Sequence, residues 1–72
     1  MTDSEKEANF RRLAKARTNR ALDDIRKIGN LANRNNYEYS DEMVEKMFDH
    51  LFEALNETKA LFKAKKKREF RF

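Results

Sequence analysis

The sequence contains no cysteine, no proline and no tryptophan, and Gly29 is its single glycine. Without cysteine, neither a disulfide nor a thiolate metal site can brace the fold. Without proline, no residue forces a helix to stop or kink. One glycine cannot make a phosphate-cradling loop. His50 is the only histidine, and no serine, cysteine or second ligand stands at a spacing that would make it part of a catalytic or metal constellation. No apolar run approaches the roughly 18 residues needed to cross a bilayer. The opening MTDSEKE lacks the basic start and apolar stretch of a secretory signal, so the cytoplasm is the expected location. These absences argue against an enzyme, a resident cofactor and a small-molecule substrate.

What remains is a short, highly charged chain of 72 residues, 42% of them Asp, Glu, Lys or Arg. That length makes one domain, near the size at which a single core barely offsets chain entropy. Two periodic segments and few strand formers predict an all-α fold.

The stronger periodic segment begins at Ser40. Its hydroxyl can cap a helix, and Asp41 and Glu42 place negative charge at the positive end of the helix dipole. Tyr39 and Val44 stand at the spacing of a hydrophobic staple. Met43, Val44, Met47, Phe48, Leu51, Phe52, Leu55, Leu61 and Phe62 then recur at helical intervals. They span roughly half the helix circumference, more than the ~100° stripe that one neighbour covers. A second helix is expected over about residues 41–66.

The first helix is expected over about residues 4–33. Thr2 and Ser4 each open a capping box, with Glu5 and Glu7 three residues on. Its inner face reads Phe10, Leu13, Ala14, Ala21, Leu22, Ile25 and Ile28, and Leu31 and Ala32 continue it. The continuing face predicts that the helix passes Gly29; the alternative is a left-handed glycine cap there. Residues 34–40 would form the turn, with Asn35 and Asn36 as candidates for positive φ. A basic tail, residues 67–72, follows the second helix.

A short turn between two matched helices predicts an antiparallel hairpin. The second helix offers more large apolar side chains than the first can cover. Each fully buried one contributes about 1.5–3 kcal/mol, so several left in water would cost a sum comparable with the stability of a small domain. The expected resolution is a homodimer forming a four-helix bundle through Met47, Phe48, Leu51, Phe52, Leu55 and Phe62. A different protein covering the same face is the alternative.

Charge is distributed in blocks. Residues 6–34 hold nine basic against three acidic side chains, residues 37–58 one against seven, and residues 59–72 seven against one. Helices of opposite sign lying side by side account for this, disfavouring wrong registers more than adding stability. Glu45, Asp49 and Glu53, four apart, read as a solvated stripe in preference to a divalent-ion site. On the first helix, Arg12, Lys15, Asn19, Arg26, Asn30 and Asn33 share the outer side, a residue set able to contact phosphates and base edges. Asp23 interrupts them. Lys65, Lys66, Lys67 and Arg68, beside Phe70 and Phe72, extend this candidate nucleic-acid surface; a membrane surface is the less favoured reading of the tail. No helix-turn-helix spacing, zinc-finger ligand set or RNA-recognition sheet motif supports the nucleic-acid reading. Arg17 falls inside the first helix's apolar arc and is expected to snorkel at its rim, the alternatives being a buried pair or a place at a dimer axis. Tyr37 and Tyr39 are expected to pack over the bundle end.

The sequence therefore favours a small non-enzymatic protein–protein assembly module. A nucleic-acid binder is the alternative.

Overall fold

The computed structural model describes the backbone of residues 3–66 and the side chains of residues 4–63. The described residues form two α-helices and no strand, so the fold is all-α. The chain divides between Glu38 and Tyr39 into two units, described in turn.

The first unit is built on α1, Asp3–Gly29. The helix is already under way at Ser4, so Ser4 does not cap it; Thr2 lies outside the described residues. Arg26 and Lys27 occupy the last turn, where positive charge complements the dipole. Surface ion pairs one turn apart line the helix: Arg11 Nη2–Glu7 Oε2 at 2.9 Å, Arg26 Nη1–Asp23 Oδ1 at 2.8 Å and Lys27 Nζ–Asp24 Oδ1 at 3.9 Å. All these partners are exposed, where such a pair contributes about 0.2–0.5 kcal/mol.

Gly29 is right-handed, φ −60° and ψ −27°, and the chain passes through it into a 3-10 turn, Asn30–Ala32. Helical geometry thus continues beyond the glycine in the tighter form common at helix ends, and no left-handed cap forms. Asn33 leaves the helix with extended geometry, φ −72° and ψ 100°.

The expectation of positive φ at Asn35 or Asn36 is incorrect: no described residue has positive φ. Asn33 closes the turn by another route. Its carbonyl accepts hydrogen bonds from the Asn36 and Tyr37 N–H groups at 3.1 and 3.0 Å. Its side-chain Oδ1 accepts from the Asn35 N–H at 3.0 Å. Asn33 thus takes up three backbone donors, and this local turn forms without a left-handed residue.

The second unit is built on α2, Asp41–Lys66. Ser40 Oγ accepts a hydrogen bond from the Met43 N–H at 3.2 Å, and the Ser40 carbonyl accepts the Val44 N–H at 3.2 Å. The first N–H groups of a helix have no partner within it, and the serine supplies one. Asp41 and Glu42 fill the first turn. Tyr39 and Val44, at staple spacing, are both half-buried.

No described side chain is fully buried. No helix among the described residues is long and apolar enough to cross a membrane.

Candidate interaction surfaces

The apolar face of α2 is the most distinctive surface. A helix places residues three and four apart on the same side, and that spacing gathers Val44, Met47, Phe48, Leu51, Leu55 and Phe62. Met47 and Leu51, in the middle of the arc, are half-buried among their own helix neighbours. Around them the large side chains stand in water: Phe52 is 59% exposed, Leu55 57% and Phe62 61%. Phe48, 37% exposed, leans on Phe52, with ring centroids 6.2 Å apart and planes at 40°. This tilted arrangement is a favourable one for two aromatic rings. It makes the pair one apolar knob on the helix surface.

The sequence reading placed Phe48, Phe52, Leu55 and Phe62 in this surface together with Met47 and Leu51, and the helix brings all six onto one broad face. Met43 and Leu61, counted in the apolar arc but not in that self-association set, are 63% and 61% exposed and widen the face along its other edge.

A second apolar stripe runs along α1 through Phe10, Leu13 and Ile25 to Leu31 in the 3-10 turn, all exposed, with Ala14 and Ile28 half-buried. Arg17, within this stripe, is exposed and holds no ion pair among the described residues, consistent with a side chain whose stem lies along apolar surface and whose head reaches water. His50 is exposed, as is Tyr37.

The outer side of α1 carries Arg12, Lys15, Asn19 and Arg26, with Asn30 just beyond the helix in the 3-10 turn. They are exposed, but they are not equally available. Arg26 is held by Asp23, while among the described residues Arg12 Nη2 reaches only Asn9 Oδ1 at 3.4 Å and Lys15 has no ion pair. Of the tail residues, Lys65 and Lys66 belong to the last turn of α2, but their side chains lie outside the described residues, as do Lys67 and Arg68 altogether.

Among the described residues, no three acidic or histidine side chains converge closely enough to hold a metal ion; Glu45, Asp49 and Glu53 are exposed along α2. No family model matches the sequence, and neither a curated protein nor a solved structure proves similar to it.

Proposed function

We propose that this chain is a small non-enzymatic assembly module that self-associates through the apolar face of α2. In this reading α1 and α2 fold back on one another as an antiparallel hairpin, and two hairpins close into a four-helix bundle with α2 at its centre. One observation carries it: Phe52, Leu55 and Phe62 lie on one face of α2, each more than half exposed. Burying such a side chain gains about 1.5–3 kcal/mol, and a small domain has only about 5–15 kcal/mol of stability in all. A chain of this size has little reason to keep so much apolar surface unless something covers it. Identical chains are always present together, which makes a second copy the economical cover.

Sedimentation equilibrium on the purified chain tests the reading. The expected result is a dimer that Phe48→Asp or Phe52→Asp converts to monomer. A wild-type chain that stays monomeric alone and acquires mass only with another protein would replace self-association by docking on that protein.

A second reading has its own observation. Arg12 and Lys15 stand exposed on one side of α1, next to Asn19, without a carboxylate partner among the described residues. Basic side chains left unpaired beside an amide suit a phosphate backbone. If the protein binds duplex DNA, log K falls with log salt at about −0.9 per phosphate contacted, and Arg12→Glu weakens binding markedly. Binding that ignores salt, or none, removes this reading.

A further inference from the structure

We propose that α2 pairs with α2 of a second copy in antiparallel orientation, about a two-fold axis at the level of Glu53. The proposal rests on the self-association argued above and specifies its geometry. Along α2, Val44, Phe48, Leu51, Leu55, Thr58 and Phe62 alternate at spacings of four and three, the pattern of a helix that packs lengthwise against one neighbour. A two-fold axis at Glu53 sets Val44 against Phe62 of the other copy, Phe48 against Thr58 and Leu51 against Leu55. Each layer then combines a large side chain with a small one, or two of medium size, as a filled core requires. One edge of the seam brings Met47 to Leu61 of the other copy, with the two Ala54 residues meeting beside the axis. This accounts for the apolar margin that Leu61 adds.

The other edge carries the charge argument. α2 is acidic through Asp41, Glu42, Glu45, Asp49, Glu53 and Glu57 and turns basic at Lys59 and Lys63. Among the described residues Glu45, Lys59 and Lys63 hold no ion pair within the chain. The antiparallel register places Glu45 by Lys59 of the second copy and Asp41 by Lys63. Two-fold symmetry repeats both pairs, while the two Phe52 rings, each already tilted against its own Phe48, meet near the axis. A parallel pair would instead set Glu45 beside Ser40 and Lys59 beside Ala54 of the second copy and leave both charges without an ionic partner there. Sliding the antiparallel pair by a heptad would strand Val44 or Phe62 outside the seam. Electrostatic complementarity thus selects the orientation, and the apolar sizes select the register.

The test uses two full-length variants, Asp41→Lys/Glu45→Lys and Lys59→Glu/Lys63→Glu, alone and mixed, by sedimentation equilibrium at low salt. In the antiparallel dimer each variant alone faces like charges at both ends, so its dissociation constant rises about tenfold or more over wild type. An equimolar mixture restores every pair and returns the affinity to near that of wild type. The mixture also controls for damage to the helix itself, because lost helicity in either variant would persist on mixing. Variants that dimerise as tightly as wild type, or that stay weak when mixed, overturn this pairing and leave self-association standing. A monomeric wild-type chain overturns the self-association reading itself.

Discussion

Gly29 occupies ordinary right-handed geometry, and a β-carbon built there would meet nothing within 4 Å. The conformational freedom of glycine serves no purpose at this position and adds entropy to the unfolded chain. Gly29→Ala should therefore stabilise the helix end by about 0.4–1 kcal/mol. The check is a rise in helical circular dichroism and a higher thermal midpoint at fixed protein concentration; a fall would mean that the glycine is required. Ser40→Ala should act in the opposite sense. It removes the acceptor of the Met43 N–H and costs about 1 kcal/mol, read as faster amide hydrogen exchange in the first turn of α2. Ser40 was legible from sequence because a cap is a local affair, one hydroxyl and one amide three residues on. Asn35 and Asn36 were misread for a related reason. Composition marks an asparagine-rich turn but not which asparagine does the closing, and here the acceptor is Asn33, leaving its neighbours with unremarkable φ.

At the scale of the element, the hydrophobic period was the legible quantity. Both helices follow from apolar residues three and four apart, and the face of α2 follows from the same count. What the period does not encode is the pairing among charged side chains. Asp23, which interrupts the basic set and would repel phosphate, in α1 also engages Arg26 at 2.8 Å. The two effects act together on any nucleic-acid surface of α1. Asp23→Asn would free Arg26 and remove a negative charge, so if α1 binds duplex DNA the affinity should rise and the salt dependence steepen by about one phosphate contact. An unchanged slope in a binding titration across salt concentrations would show that Arg26 takes no part. The pair itself is exposed, so its loss should cost the helix only about 0.2–0.5 kcal/mol.

For the whole molecule the governing quantity is apolar surface without cover: Phe10 on α1 is 58% exposed, and on α2 Met43, Phe52, Leu55, Leu61 and Phe62 are each more than half exposed. If a second copy supplies that cover, folding and association become one equilibrium, and stability depends on concentration. Raising the protein concentration about 100-fold then stabilises the dimer by about 2.7 kcal/mol, which lifts the thermal midpoint by roughly 5–10 °C for an assembly of this size. Far-ultraviolet circular dichroism melts at the two concentrations measure it directly. Phe52→Asp should both lower the midpoint and remove its concentration dependence, since a buried carboxylate at the two-fold would face its own copy. A midpoint that is high and indifferent to concentration in the wild-type chain would mean that the apolar faces find cover within one molecule, and the argument for a second copy would lose its physical basis.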